Sequence, residues 1–388
     1  MNVPLLDLVA QYQSIKDEVL ASLMGVVERQ GFIMGPEVGA LETALAELCH
    51  TRHGIACASG TDALLLPLKT LSLQPGDEVI CPAFTFFATA GAVHNAGGTP
   101  VFADIDPATF NIDPAAIERA ITPRTRAIVV VHLYGQMAAM ERILPLAERH
   151  GLAVIEDGAQ AIGARRKMDG PEGPTWRLAG ELGTVGTLSF FPSKNLGAWG
   201  DGGMMVTQDD ALAARLRKLR LHGGAKQYHH EEVGFNSRLD TLQAAVLLAK
   251  LPHLAAWNVA RRQVAARYAE AFADLADAGL VLSPVTDPAN EHIFHQYTIR
   301  ARRRDALAEH LRARGIGHAI YYPTPLHLQP CFAPLGYARG ALPVTEAATA
   351  EVLSLPIYPE LTPERQDAVV AAVREFYQAV GAAAGSAA

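Results

Sequence analysis

Short apolar runs alternate with stretches of helical spacing through the first half of the chain. Gly54-Ile55-Ala56-Cys57-Ala58 reads as a buried strand, and Ala63-Leu64-Leu65-Leu66 opens a helix just after Ser59-Gly60-Thr61-Asp62. The alternation then repeats, with strands predicted over 78–81, 100–104, 126–132 and 153–156. Helices over 86–95, 114–121 and 140–150 lie between them, and two more, over 17–27 and 36–49, precede the run. Strands of this kind, joined by short connections through helices, predict an α/β fold with a mostly parallel sheet covered on both faces.

Beyond this run the pattern changes twice. Residues 165–183 are polar and mix prolines and glycines with charges, which predicts a surface loop. Strands over 188–191 and 203–207 and helices over 211–221, 239–251 and 254–275 follow. After Gly279 the texture becomes that of a smaller α+β unit, with strands over 296–300 and 318–321 and helices over 305–314 and 363–380. The expected division is residues 1–253 as a large domain and 254–388 as a linking helix and small C-terminal domain.

Composition narrows the class without naming a chemistry. The 388 residues are 49% hydrophobic and 19% charged, with a formal net charge of −7. That balance argues against a broad nucleic-acid surface or an anionic-membrane surface. Four cysteines lack CxxC spacing, and no apolar run approaches the ~18 residues that span a bilayer. With no leader pattern in Met1-Asn2-Val3-Pro4, the expected location is cytoplasmic. His229-His230-Glu231-Glu232 lacks open-site metal spacing, so no metal is expected.

Candidate chemistry gathers at predicted strand ends. Lys194 stands between the apolar Ser189-Phe190-Phe191 and the glycine-rich Gly197-Ala198-Trp199-Gly200-Asp201-Gly202-Gly203. Read alone it is an exposed lysine in a loop; shielded from water it is an amine able to attack a carbonyl. Asp157 follows the strand over 153–156, with Gln160 three residues on. A carboxylate there either caps a helix or keeps a heteroaromatic nitrogen protonated. Ser59-Gly60-Thr61 lies past another strand, where free N–H groups and a helix dipole favour an anion, or simply form an ordinary cap. Ser189 offers a hydroxyl for a phosphate, and Phe86 an aromatic face for a flat ring or for the core. In such sheets ligands bind beyond the carboxyl ends of the strands, where all of these residues fall.

Taken together, the motifs resemble one family. They are Gly60-Thr61-Asp62-Ala63, Gly76-Asp77-Glu78-Val79-Ile80, Thr85-Phe86-Phe87-Ala88-Thr89 and Val131-His132-Leu133-Tyr134-Gly135-Gln136. Ile155-Glu156-Asp157-Gly158-Ala159-Gln160, Ser189 to Leu196, Asn236 to Asp240 and Gln243-Ala244-Ala245 complete the set. From about Val3 to Tyr377 the chain resembles the DegT/DnrJ/EryC1/StrS sugar aminotransferases, pyridoxal-phosphate enzymes of aspartate-aminotransferase fold type I. The resemblance implies Lys194 as Schiff-base lysine and proton shuttle, Asp157 at the pyridine nitrogen, Gln160 at the ring hydroxyl and Phe86 stacked on the ring. It implies Gly60, Thr61 and Ser189 at the phosphate, joined by Asn236 of the neighbouring subunit in a homodimer.

The implied reaction moves an amino group from L-glutamate to a keto group on a nucleotide-linked sugar. Tyr228-His229-His230 and the segment through Arg238 are similar to enzymes that aminate a UDP-linked 3-keto-uronic acid, making Arg238, His229 and Tyr321 substrate candidates. Tyr321-Tyr322-Pro323 departs from the family's frequent His-Tyr-Pro. Two rival readings are a related sugar dehydratase, which has histidine at the lysine position, and a regulatory member without turnover. Lys194 speaks against the first, and Lys194, Asp157, Gln160 and Ser189 together against the second.

Overall fold

The computed structural model describes residues 2–170, 173–226 and 228–385. Its strands, in chain order, are β1 (His53–Cys57), β2 (Glu78–Pro82), β3 (Thr99–Ala103), β4 (Thr125–Val131), β5 (Ala153–Asp157), β6 (Arg165–Met168) and β7 (Thr175–Leu178). They continue with β8 (Val185–Ser189), β9 (Gly203–Thr207), β10 (Val281–Leu282), β11 (Asn290–Glu291), β12 (Tyr297–Ala301) and β13 (Val352–Leu355).

Seven strands form the large sheet in the order β1-β9-β8-β5-β4-β2-β3. Neighbours pair in parallel except β9, which runs against both β1 and β8. Both faces are covered, so the central strands carry apolar side chains on both sides. Ile128, Val129, Val130 and Ile155 are each 1% exposed or less, and each contributes roughly 1.5–3 kcal/mol by burial. Because β1, β2, β4, β5 and β8 share one direction, their carboxyl ends open on one edge. The sequence therefore delivers Ser59, Phe86, His132, Asp157 and Ser189 to the same rim.

A second core surrounds the three-stranded sheet β10-β12-β13, packed with Val264, Tyr268, Phe272, Leu307 and Val373. Val3 joins it: its N–H donates to Gly315 O at 3.0 Å, and its carbonyl accepts from Gly317 N–H at 2.7 Å. Residues 292–296 cross from this unit to the large sheet and press against Gly135 (φ 104). A Cβ there would sit 2.8 Å from Ile293 Cγ1 and 3.0 Å from His295 N, so both the backbone angle and the space require glycine. Among the described residues no helix is long and apolar enough to cross a membrane.

Four expectations change. Residues 165–183 contain the hairpin β6–β7, which pairs with β11, where a surface loop was expected. Here β6 opens on three consecutive cations, Arg165, Arg166 and Lys167, and carries no apolar period. Arg166 points inward to Glu141 and Asp287, while Arg165 and Lys167 flank the ring of Trp176 at 4.8 and 5.4 Å. Residues 318–321 make only an isolated bridge, Ala319 to Ser354; the third strand of the small sheet is β13, following the unforeseen helix Pro343–Glu351. The strand expected over 188–191 is β8, which begins three residues earlier at Val185 and ends at Ser189; near its start Gly186 admits the close approach of Gly180. The helix expected from Phe86 begins at Ala88, leaving Phe86 and Phe87 outside it.

Candidate active site

Asp157 ends β5 with its carboxylate buried. Thr89 Oγ1 donates to its Oδ2 at 2.9 Å, and Ala159 N–H donates to Oδ1 at 3.2 Å. Burial raises its pKa, while these donors and the positive Lys194 pull it back toward the ionised form. Directly behind it lies a sealed pair. His132 Nδ1 accepts from Ala138 N–H, so Nε2 carries the proton and donates to Glu156 Oε2 at 2.8 Å. Glu156 also accepts from the N–H groups of Gly180, Leu182 and Gly183, which fixes the turn leading into β8.

Lys194 lies just beyond β8, in a tight turn where its N–H bonds Phe191 O at 2.8 Å. Desolvation lowers the amine to about 8, against the opposing pull of the Asp157 carboxylate. The turn is held from below by Lys250, whose buried ammonium donates to Gly197 O at 2.7 Å. A Cβ on Gly197 would meet Pro192 O at 2.3 Å, so no larger residue fits this bend.

Gly60 and Thr61 open the helix Gly60–Thr70, whose N-cap Ser59 accepts from Asp62 N–H at 3.1 Å. A Cβ on Gly60 would lie 2.6 Å from Ser189 Cβ, so the helix end is packed against the Ser189 hydroxyl. Gln160 is fixed at both ends: Oε1 accepts from Tyr134 N–H at 2.6 Å, and Nε2 donates to Tyr322 Oη at 3.0 Å. Phe86 is 58% exposed, with its ring 6.3 Å from that of Tyr322. An exposed aromatic face, a buried carboxylate, a desolvated amine and a hydroxyl-lined helix N-terminus are the donor set that pyridoxal phosphate needs, and the residues fit that group.

The substrate candidates do not converge within one chain. Tyr321 lines a small cavity with Ser193, His295 and Gln296. Arg238 instead lines a separate surface cavity of about 750 Å³ with Lys226, Tyr228 and His230. His229 is exposed beside it, bridged to Lys226 through the backbone. Asn236 is exposed on a segment bridged to Leu221, and its neighbour Ser237 bonds Asp62 of the same chain at 2.6 Å. Glu231 pairs with Lys218 and Glu232 with Arg215. No group of three metal-capable side chains occurs among the described residues.

Sequence reading missed Thr89, Tyr322 and the Asn195–His295 pair described below. The four-residue spacing of Thr85 and Thr89 was the only available signal for the first, since it puts two hydroxyls on one helical face. Tyr322 and His295 come from distant segments and left none.

Residues 13–374 match the model of the DegT/DnrJ/EryC1/StrS aminotransferase family. A "Pleiotropic regulatory protein" of Geobacillus stearothermophilus is 52% identical over 97% of this chain and 99% of its own. A UDP-N-acetyl-3-dehydro-alpha-D-glucosamine 3-aminotransferase of Acidithiobacillus ferrooxidans is 48% identical over 96% of this chain and 97% of its own. Among solved structures, NtdA of Bacillus subtilis with bound cofactor PMP superposes with a TM-score of 0.88 at 36% identity, covering 96% of this chain and 85% of that one.

Proposed function

Since the chain belongs to the DegT/DnrJ/EryC1/StrS aminotransferase family, we propose that its sheet-edge site moves an amino group from L-glutamate to a keto group on a nucleotide-linked sugar. The observation that carries this reading is a desolvated Lys194 set against a buried, hydrogen-bonded Asp157. When bound, pyridoxal phosphate supplies an aldehyde carbon that carries the amino group and a pyridinium ring that draws off electrons.

Each residue then has a defined task. Asp157 keeps a proton on the ring nitrogen by a charge-assisted hydrogen bond, and Thr89 holds its carboxylate in place. Lys194 would hold the cofactor's aldehyde carbon and would serve as the base that moves a proton between the donor's α-carbon and that carbon, on the far side of the amino nitrogen. Phe86 covers one ring face and excludes water, while Gln160 orients the ring hydroxyl. Gly60, Thr61 and Ser189 take the phosphate at a helix N-terminus.

Oligomer and substrate form the finer part of the proposal. Asn236 completes the phosphate site of a neighbouring subunit, making a homodimer the active unit. Arg238, with His229 nearby, contacts the diphosphate or sugar through its planar guanidinium, and Tyr321 borders the acceptor sugar. Residues 1–253 hold the N-terminal segment and the large cofactor domain, with 254–388 the linking helix and small domain, whose core Val3 joins. The relative named as a regulatory protein motivates the rival reading, a family member without turnover. Mixing cofactor-loaded protein with glutamate separates the two: loss of the visible absorbance band supports the enzyme, and an unchanged spectrum supports the rival.

A further inference from the structure

Both chain neighbours of Lys194 lead to one small, partly open cavity. Ser193 lines it, together with Arg261, His295, Gln296 and Tyr321, and its volume is about 60 Å³. Asn195, on the other side of Lys194, bonds His295 directly. One water needs only ~10–15 Å³ of such space if polar partners are present, so the cavity has room for a small cluster. Two of its lining residues carry buried polar atoms with no partner among the described residues: Arg261 Nε, a donor, and Gln296 Oε1, an acceptor. Arg261 is only 3% exposed, and its Nη1 is already committed to the carbonyls of Phe294, His295 and Ile357. A donor and an acceptor without partners, both on residues that line one cavity, are groups that nearby water would satisfy after a small side-chain shift.

The tautomer of His295 follows from a chain of amides. Asn258 Nδ2 donates to Ile162 O at 3.2 Å, which leaves Asn258 Oδ1 as the acceptor. Asn195 Nδ2 donates to that oxygen at 2.8 Å, turning Asn195 Oδ1 toward His295 Nδ1 at 3.1 Å. An amide oxygen only accepts, so Nδ1 carries the proton and Nε2 is a bare lone pair. Nε2 has no hydrogen-bond partner among the described residues. Burial and the cations Lys194 and Arg261 hold the ring neutral, well below its ordinary pKa.

We propose that His295 is a positioning residue for Lys194: locked as the Nδ1–H tautomer by the Asn258–Asn195 pair, its bare Nε2 anchors ordered water beside the lysine. An anchored water turns one O–H to Nε2 and a lone pair toward the lysine, where it accepts a hydrogen bond from the ammonium and helps hold the side chain in place. Arg261 and Gln296 line the same cavity. The inference rests on Lys194 being the working lysine of the proposed function.

Imidazole nitrogen-15 NMR on the cofactor-free protein tests it without turnover, with the His295 signals assigned from their loss in His295→Gln. The expected pattern is protonated Nδ1 and unprotonated Nε2, and Asn258→Leu should shift population to the other tautomer. A wild type with Nε2 protonated overturns the proposal. A second readout is the rate at which added pyridoxal phosphate develops its visible band. His295→Phe should slow it at least about tenfold, with a KM for glutamate within about twofold. His295→Gln, which keeps one donor and one acceptor, should restore most of the rate. An unchanged rate in His295→Phe sinks the idea. Failure of the wild type to develop the band would sink the reading of Lys194 itself, which the tautomer measurement does not depend on.

Discussion

Thr89 Oγ1 donates to Asp157 Oδ2 at 2.9 Å, and both side chains are buried beneath the site. A hydroxyl on the first turn of the helix Ala88–Ala96 thus holds the carboxylate at the end of β5. Thr89→Val removes that donor at nearly constant volume and leaves Asp157 less stabilised as an anion. Stability should fall by about 1–3 kcal/mol and cofactor retention should weaken, with Thr89→Ser recovering most of both. Chemical denaturation with and without cofactor checks this, and a silent Thr89→Val would contradict it.

Lys194 has its amine lowered to about 8 by desolvation, so the neutral fraction rises as pH rises through that value. The rate of cofactor capture by the cofactor-free protein should therefore climb between about pH 7 and 8 and level off above about pH 9. Lys194→Ala should show no visible band at any pH. A midpoint near the ordinary lysine value of 10.5 would mean the amine is solvated.

Glu156 accepts hydrogen bonds from His132, Gly180, Leu182 and Gly183 in a site closed to solvent. Glu156→Gln replaces one acceptor oxygen by an NH2 group that faces donors. The expected loss is roughly 3 kcal/mol, read as a lower melting temperature, because buried donors are left without partners.

Gly135→Ala meets two obstacles at once, a φ of 104° and a Cβ position 2.8 Å from Ile293. We expect destabilisation of about 1–3 kcal/mol from backbone strain, plus displacement of the 292–296 segment that carries His295. Thermal melting measures the first, and the His295 imidazole signals report the second.

Mixed dimers test the shared site. Chains carrying Lys194→Ala and chains carrying Asn236→Ala, each impaired alone, should regain activity when refolded together. In a hybrid, one of the two sites draws an intact lysine and an intact asparagine from different chains, so about a quarter of sites recover at equal mixing. No recovery would place both residues in one chain's site.

Much of this was legible in one dimension. The seven strands of the large sheet and the helices between them follow from apolar runs, because a sheet covered on both faces leaves a continuous signature. Lys194, Asp157, Gly60 and Ser189 could be placed at the rim because each sits at or shortly after the end of such a run. The hairpin β6–β7 could not, since β6 opens on three consecutive cations, Arg165, Arg166 and Lys167, which are held by Trp176 across the hairpin and by Glu141 and Asp287 elsewhere in the chain.

The amino-acid sequence by itself determined the parallel sheet, the rim on which the chemistry lies and the residue types brought there, because these depend on local period and on chain direction. Only the tertiary structure decided the state of those residues. Desolvation of Lys194, the grip of Thr89 on Asp157 and the tautomer of His295 depend on groups up to a hundred residues apart in the chain, as His295 and Asn195 are. Burial and hydrogen-bond direction are properties of neighbours in space, and no reading along one strand contains them.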